Sequence, residues 1–177
     1  MLRRGRVGLV PTETVVGLVA GEAGFSRLSE IKGRDPDKPI ALLCASAEEA
    51  FAMSRGVPPL ARLLADRFWP GPLTLVLDSV TGGTIGVRVP AHPVIQAVLA
   101  GYGEPLYATS ANLSGEPAPP ALEDVSPTVS ATANFAVQGE PGSGEASAVV
   151  DLSGGQMRLL RATKSLTEAE LARLTKG

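Results

Sequence analysis

The 177-residue sequence has a single cysteine and a single histidine, and these two shortages exclude several kinds of site. One cysteine cannot form an internal disulfide, and Cys44 lies in an apolar run, which is typical of a buried structural thiol. His92 has no cysteine or carboxylate cluster around it, so we predict no protein-held metal centre. The sequence also contains no Gly-x-Ser-x-Gly elbow and no P-loop. Chemistry that needs a catalytic triad or a P-loop is therefore not expected.

Aromatic residues make up 4% of the chain, and the formal net charge is −2. Both values disfavour a base-stacking platform and a generally basic nucleic-acid surface. No apolar run approaches the ~20 residues that span a bilayer, and no charged-then-apolar leader opens the chain. We therefore expect a cytoplasmic protein with no membrane association.

Apolar and polar segments alternate in a way that predicts an α/β fold. The predicted strands lie near residues 7–10, 40–44, 73–77, 84–89, 106–109, 134–137, 148–152 and 157–160. The predicted helices lie near residues 25–31, 46–54, 58–68, 94–100 and 167–174. Two stretches, 115–129 and 139–145, are rich in proline, alanine or glycine and are predicted to be irregular.

A polar cluster at residues 109–115 follows directly on the predicted strand 106–109. It contains three hydroxyls, an amide and a glycine at the carboxyl end of that strand, where open α/β sheets bind ligands. Hydroxyl, amide and backbone N–H groups suit an anionic oxygen of a phosphate or a carboxylate. A plain polar turn has the same composition, so this cluster alone leaves both interpretations open.

Two further segments carry cations. Lys32, Arg34 and Lys38 lie within seven residues between a predicted helix and a predicted strand, a pattern that suits either a polyphosphate or a solvated turn. Arg88 lies inside an apolar strand between two valines. Because arginine rarely enters a core unpaired, Arg88 either points to solvent or meets a carboxylate in a cleft.

Six motifs in a fixed order make the sequence resemble the YrdC-type threonylcarbamoyl-AMP synthase family. They are Pro-Thr-Glu-Thr-Val-x-Gly-Leu at 11–18, Lys-Gly-Arg with a later Lys-Pro at 32–39, Pro-Gly-Pro-Leu-Thr-Leu-Val-Leu at 70–77, Val-Arg-Val-Pro-x-His-Pro at 87–93, Thr-Ser-Ala-Asn-Leu-Ser-Gly at 109–115, and Ser-x-Val-Val-Asp at 147–151 before an arginine. The resemblance implies a twisted mixed sheet flanked by helices, with a concave cationic cleft. Some relatives carry a further carboxyl-terminal domain, for which 177 residues leave no room, so we expect a single domain over residues 1–177.

The resemblance also implies an activity. Such proteins are nucleotidyltransferases that convert L-threonine, bicarbonate and ATP into threonylcarbamoyl-adenylate and pyrophosphate. A partner complex then transfers the threonylcarbamoyl group to tRNA, and direct tRNA binding by this chain alone is expected to be weak. By similarity, the residues implied to contact ATP are Lys32, Arg34, Ser110, Asn112 and Arg161, with Lys32 and Arg34 also catalytic. Those implied to hold threonine are Thr12, Arg88, Thr109 and Ser147, with Arg88 facing its carboxylate.

The residues agree with that chemistry. Attack on an α-phosphorus builds negative charge on phosphate oxygens, which fixed cations and hydrogen-bond donors stabilise, and no covalent nucleophile is needed. Mg²⁺ is expected to arrive on the phosphates of ATP without a protein cage.

Several positions depart from the family pattern. Val16 replaces a usual tyrosine or phenylalanine, Ala148 replaces a usual threonine, and the segment between residues 17 and 32 is shorter than usual. These changes are expected to border the site and to weaken or alter its activity. Two alternative functions stay open, of which these changes suggest the first. One is a non-catalytic nucleotide- or RNA-binding paralogue. The other is a carbamoyl-adenylate-forming module of the hydrogenase-maturation type, although the zinc-finger and acylphosphatase-like segments of those larger proteins do not occur here.

Overall fold

The computed structural model describes residues 1–32 and 40–175, except for the side chain of Lys32. The strands of this part are β1 (Val7–Val10), β2 (Gly17–Ala20), β3 (Ala41–Leu43), β4 (Leu73–Asp78), β5 (Thr84–Arg88), β6 (Leu106–Ser110), β7 (Phe135–Ala136), β8 (Ala148–Asp151) and β9 (Arg158–Arg161). The helices are α1 (Phe25–Lys32), α2 (Ala47–Ala52), α3 (Pro59–Phe68), α4 (Pro93–Tyr102), α5 (Pro127–Ser130) and α6 (Glu168–Leu174). None of the helices in these two ranges is long and apolar enough to cross a membrane.

All of these strands form one mixed sheet in the order β7-β1-β2-β6-β3-β5-β4-β8-β9. The pairs β7–β1, β3–β5 and β4–β8 are parallel, and the other pairs are antiparallel. Strands distant in sequence therefore meet at the centre of the sheet, where β6 pairs with both β2 and β3. This order confirms the α/β fold with a twisted mixed sheet that the sequence predicts.

The two faces of the sheet are covered differently, because successive side chains of a strand point to opposite sides. In β3, Leu42 packs in a core with α2, α3 and α6, whereas Leu43 packs in a core with α4. In β1, Leu9 joins a core with α1 and α5, whereas Val10 joins the core that α4 completes. Helices α1, α2, α3, α5 and α6 thus cover one face, and α4 covers part of the other.

Local signals place several helix ends where the sequence predicts them. Ser46 accepts a hydrogen bond from the backbone N–H of Glu49, and Thr167 accepts one from that of Glu170, so both side chains cap their helices. The Glu49 carboxylate reaches back to the N–H of Ala45 (2.6 Å), one residue before the position of an ideal capping box.

Strand β2 is the main element that the sequence prediction omits. Its four residues are all buried, so the alternation that marks a half-exposed strand is absent, and the segment reads as part of a loop motif. The stretch 115–129, predicted to be irregular, also contains a short 3₁₀ turn (Leu122–Asp124) and the start of α5. The backbone N–H of Gly142 donates to the Pro120 carbonyl (2.9 Å), so this stretch is hydrogen-bonded to the other predicted irregular stretch, 139–145.

Candidate functional site

A cavity of about 840 Å³ lies on the face of the sheet that α4 covers only in part. It extends across strands from β2 to β9. The residues that line it are Thr12, Thr14, Val15, Gly17, Ala41, Leu43, Thr74, Val76, Gly86, Arg88, Ala108, Thr109, Ser110, Asn112, Ser114, Gly115, Ala146, Ser147, Val149, Leu160 and Arg161. This set contains two guanidinium groups, seven hydroxyls and one amide, and none of these lining residues is acidic.

The floor of the cavity is made of small residues on neighbouring strands. Ala41 pairs in register with Gly86 and with Ala108, so the three lie side by side on β5, β3 and β6. A Cβ at Gly86 would lie 3.5 Å from Cγ2 of Thr74 and 3.7 Å from Ala41, an ordinary contact distance. Packing therefore does not require glycine at this position, and its missing side chain adds depth to the cavity.

Arg88, at the end of β5, is buried at one wall of the cavity, with 7% of its surface exposed. Its Nη2 forms a salt bridge with Glu13 (2.5 Å) and donates to Oγ1 of Thr14 (3.0 Å), while its Nε donates to the Gly71 carbonyl (3.2 Å). The sequence left solvent and a carboxylate in a cleft as alternatives, and the structure places Arg88 in the cleft against Glu13. Two N–H groups of Nη1 have no hydrogen bond among the described residues, so they remain available to an anion in the cavity.

Thr12 and Thr14 extend this network into the loop between β1 and β2. Thr12 Oγ1 donates to the Val15 carbonyl (2.6 Å), so in its bond to Thr14 Oγ1 (2.9 Å) the Thr14 hydroxyl is the donor. The hydroxyl hydrogen of Thr12 thus forms a hydrogen bond within this loop, and the loop contacts Arg88 through Thr14. The Thr12 oxygen also accepts from the backbone N–H groups of Thr14 and Val15 (both 3.3 Å), so this side chain shapes the loop at the cavity.

Arg161, on the edge strand β9, lies at the opposite wall. Its Nε donates to the Ser147 carbonyl (2.6 Å) and its Nη2 lies 3.4 Å from the Ser147 hydroxyl. Within residues 1–32 and 40–175 no carboxylate forms a salt bridge with Arg161. Partial burial, and then the charge of Arg88, lower the pKa of Arg161, so the two cations of the cavity interact unfavourably.

The cluster at 109–115 forms the third wall. Thr109 and Ser110 end β6, and Ser110 pairs with Gly17 of β2. The Asn112 side-chain nitrogen donates to the carbonyls of Leu113 (3.0 Å) and Glu116 (2.6 Å), and it thereby shapes the turn that follows the strand. The cluster therefore lies at the carboxyl end of a central strand, as the sequence predicts.

Seven of the nine site residues named from the sequence line this one cavity: Thr12, Arg88, Thr109, Ser110, Asn112, Ser147 and Arg161. The other two, Lys32 and Arg34, are not placed, since the Lys32 side chain and residues 33–39 lie outside the described residues. Helix α1 ends at Lys32, and the chain re-enters the sheet at β3, whose residue Ala41 lines the cavity.

Three cavity residues were not predicted from the sequence: Thr14, Thr74 and Gly86 of the cavity floor. Thr74 lies in β4, where Leu73, Leu75 and Leu77 pack in the core on the other face. A polar residue at the alternate position of an apolar strand is the signal that drew attention to Arg88, and the same signal was available at Thr74.

Three other residues that stand out in the sequence, His92, Trp69 and Cys44, have structural roles. His92 caps α4, since its Nδ1 accepts from the N–H of Val94 (3.1 Å) while Nε2 contacts the Glu140 carbonyl (3.1 Å). Trp69 packs against the core and donates to the Leu73 carbonyl (2.7 Å). Burial, reinforced by the charge of Glu49, raises the pKa of Cys44 to about 12. Across the described part of the chain, no group of three or more His, Cys, Asp or Glu side chains is arranged to hold a metal ion.

Residues 1–163 match the family model Sua5/YciO/YrdC, which is described as "Telomere recombination". The chain belongs to this family. It is 38% identical over 173 residues to the threonylcarbamoyl-AMP synthase of Pyrococcus abyssi and 36% identical over 175 residues to that of Bacillus subtilis. These matches cover 90% and 91% of this chain but 51% of each relative, so the chain spans about half the length of these two curated relatives.

The structure is also similar to a Sua5 family member crystallised with L-threonine, the P. abyssi protein. The TM-score is 0.83 at 35% sequence identity, over 90% of this chain and 51% of that one.

Two of the departures from the Sua5/YciO/YrdC pattern lie away from the cavity. Val16 is fully buried and packs in the core with α1 and α5, on the opposite face of the sheet. Ala148 is buried in the core with α2 and α3. The expectation that Val16 borders the site is therefore wrong, because its neighbour Val15 lines the cavity and Val16 does not.

Proposed function

We propose that this chain is an L-threonylcarbamoyl-AMP synthase that uses the cavity between Arg88 and Arg161. The proposal is supported by the names of its relatives and by a pocket whose polar groups are donors for anionic oxygens. The observation that carries it is Arg161, a guanidinium at the cavity wall with no carboxylate partner among the described residues. Such a cation, close to a second one, favours a polyanionic ligand such as ATP.

The two arginines divide the substrates between them. Arg88 has its unused N–H groups and buried surroundings at the wall next to Thr14, which suits the carboxylate of threonine. Arg161, at the opposite wall, suits phosphate oxygens of ATP, as do the donors of the 109–115 cluster. Thr12, Thr109 and Ser147 complete the amino-acid side, and Ser110 and Asn112 complete the nucleotide side.

The reaction that fits this arrangement has two steps. The amine of threonine attacks the carbon of bicarbonate, and loss of water leaves an N-carbamate. A carbamate oxygen then attacks the α-phosphorus of ATP, a new P–O bond forms, and pyrophosphate leaves with the electrons of the broken bond. Holding the reactants in one cavity lowers the entropic part of the barrier, and the fixed cations stabilise the charge on the departing pyrophosphate.

Lys32 and Arg34 are proposed to act on the phosphates at the edge of this cavity, since the segment between α1 and β3 re-enters the sheet at a cavity residue. The donor set present suits phosphate oxygens better than a bare cation, because none of the lining residues of the described part offers a carboxylate. Mg²⁺ is therefore proposed to enter with ATP, bound to its phosphates.

The adenylate product is a mixed anhydride, so it needs an acceptor enzyme. We propose a hand-off to a tRNA threonylcarbamoyl-transferase complex in the cytoplasm, with tRNA contact by this chain weak. A non-catalytic nucleotide- or RNA-binding paralogue remains the second candidate, and it is weakened by the positions of Val16 and Ala148 on the far face of the sheet.

Pyrophosphate release by the purified protein tests the proposal. The reaction contains ATP, Mg²⁺ and bicarbonate, with and without L-threonine, and parallel reactions omit bicarbonate or replace threonine by L-serine. Release that requires both threonine and bicarbonate is the expected result. ATP binding without any release would support the paralogue, and release that requires carbamoyl phosphate in place of threonine would support the hydrogenase-maturation type.

A further inference from the structure

We propose that Thr74 is a further positioning residue of this site, which orients Ser147 and supplies the donor pair for the carboxylate of the amino-acid substrate. This inference rests on the proposed function for the identity of the substrate. Thr74 lies in the motif at 70–77, but the resemblance assigns it no role.

The sheet register places Thr74 between the two arginines. In the pairing of β4 with β5, Leu75 lies opposite Val87, so Thr74 lies beside Arg88 on the cavity face. In the pairing of β4 with β8, Thr74 lies opposite Val149, which in turn lies opposite Arg161 of β9. One row of side chains across the sheet therefore runs from Arg88 through Thr74 to Arg161.

Thr74 and Ser147 form a buried pair of hydroxyls in this row. Their oxygens are 2.9 Å apart, and 7% of Thr74 and 5% of Ser147 is exposed. The methyl group of Thr74 lies toward Gly86, 3.5 Å from where a Cβ would stand, so the bond to Ser147 is what orients the Thr74 hydroxyl. A hydroxyl held in this way loses little freedom when a ligand binds.

A count of donors shows what this pair lacks. The two hydroxyls carry two hydrogens, and their mutual bond uses one of them. The Ser147 oxygen also accepts from Arg161, which has only donors (Nη2 to Oγ, 3.4 Å). Among the described residues neither hydroxyl has an acceptor for the second hydrogen. This second hydrogen lies at the cavity wall, where an acceptor oxygen of a ligand can receive it.

The ligand group that fits is a carboxylate. One oxygen can accept from the unused N–H groups of Arg88, and the other from the spare hydrogen of the Thr74–Ser147 pair. Because Thr74 binds Ser147 on the side away from Arg161, removal of its hydroxyl leaves Ser147 free to rotate. Removal of the Thr74 hydroxyl is therefore expected to weaken the binding of the amino acid and to leave the binding of ATP largely unchanged.

Thr74→Val tests the inference, since valine keeps the branched shape in a strand and removes only the hydroxyl. L-Threonine binding is measured by titration calorimetry without ATP, and the KM values for threonine and ATP are measured separately from pyrophosphate release. We expect Thr74→Val to raise the Kd and KM for threonine about tenfold or more, with the KM for ATP and the Tm little changed. Thr74→Ser, which retains the hydroxyl, is expected to restore threonine binding.

Thr81→Val is the matched control, because it breaks a hydroxyl pair of the same 2.9 Å length, Ser79–Thr81, away from the cavity lining. A double-mutant cycle with Ser147→Ala adds a second readout. If Thr74 acts through Ser147, Thr74→Val has little further effect in the Ser147→Ala background.

Three results would overturn the inference: a threonine KM within twofold of wild type in Thr74→Val, equal impairment of Thr74→Ser and Thr74→Val, or a change in the KM for ATP alone. Threonine binding that depends on Thr74 in a wild-type protein that releases no pyrophosphate would reject the proposed function but keep the inference. A wild-type protein that binds no threonine would reject both.

Discussion

Arg88 and Arg161 face the same cavity, but within the described part of the chain only Arg88 has a carboxylate partner, Glu13. The charge of Arg88 contributes to the lowered pKa of Arg161, after partial burial. Among the described residues, the site therefore holds one guanidinium with a carboxylate partner and one without. An anion that binds between them relieves this imbalance, which links the charge distribution of the site to its preference for anionic substrates.

Arg161→Gln is expected to raise the KM for ATP about 10- to 100-fold, since a charge-assisted phosphate contact is lost. The Tm is expected to stay within about 2 °C of wild type, because the substitution removes a partly exposed cation that forms no ion pair with the described residues. Steady-state kinetics and thermal melts measure the two effects. Arg158→Gln, on the same strand but outside the cavity lining, is the control, and an equal rise in its KM for ATP would contradict the assignment.

Gly86→Ala is expected to keep or slightly raise stability and to weaken substrate binding. The added Cβ has only ordinary contacts, and the change stiffens the unfolded chain, which adds about 0.4–1 kcal/mol. The same methyl group occupies the cavity floor, so the KM for at least one substrate rises. Gly56→Ala, in a loop with nothing within 4 Å of the new Cβ, controls for the unfolded-state effect. Unchanged kinetics in Gly86→Ala would show that the ligand does not reach the floor.

Lys32→Ala and Arg34→Ala are expected to reduce kcat/KM by about 100-fold or more while leaving the Tm nearly unchanged. Both residues are predicted to act on phosphates from the segment between a helix and a strand. Pyrophosphate release and thermal melts separate the two effects. A collapse of the Tm in either variant would instead mark the residue as structural.

Asp151→Asn is expected to destabilise the protein at neutral pH and to have less effect in acid. Burial acts to raise the pKa of Asp151, but hydrogen bonds from Ser153 and Arg158 outweigh burial and lower it below its usual 3.8. A carboxyl whose pKa is lowered on folding stabilises the folded state above pH 3.8, and this contribution is lost as the pH falls through the folded pKa.

We therefore expect the Tm difference between wild type and Asp151→Asn to be largest at pH 6–7, equivalent to about 1–3 kcal/mol, and to shrink toward pH 3. Urea unfolding at the same pH values checks the size. A difference that does not depend on pH would rule out a role for the charge of Asp151.

Cys44 is expected to resist thiol reagents at neutral pH. Burial raises its pKa to about 12, so the thiolate that reacts is scarce and hidden. Labelling with an aromatic disulfide should be slow in the native protein and complete in denaturant. Fast labelling of the native protein would show that the segment around Cys44 opens readily.

Residue identities and local patterns were enough to predict the family and most of the helices and strands. The order of six motifs depends only on residue identity, and strands such as β4 and β6 and helices such as α3 follow from apolar runs, prolines and capping residues. Arg88 in an apolar strand predicted either exposure to solvent or a carboxylate partner in a cleft, because a buried guanidinium needs a partner. Strand β2 was missed, since a strand buried on both faces has no alternation to detect.

Contacts between residues that are distant in sequence could be seen only in the folded chain. Thr74 and Ser147 are 73 positions apart, and their hydroxyls meet because β4 and β8 pair in parallel. Val16 and Val15 are neighbours in sequence, yet one packs in the core and the other lines the cavity. Contacts between distant strands depend on register, and a shift of one residue moves a side chain to the other face of the sheet, which no local pattern can specify.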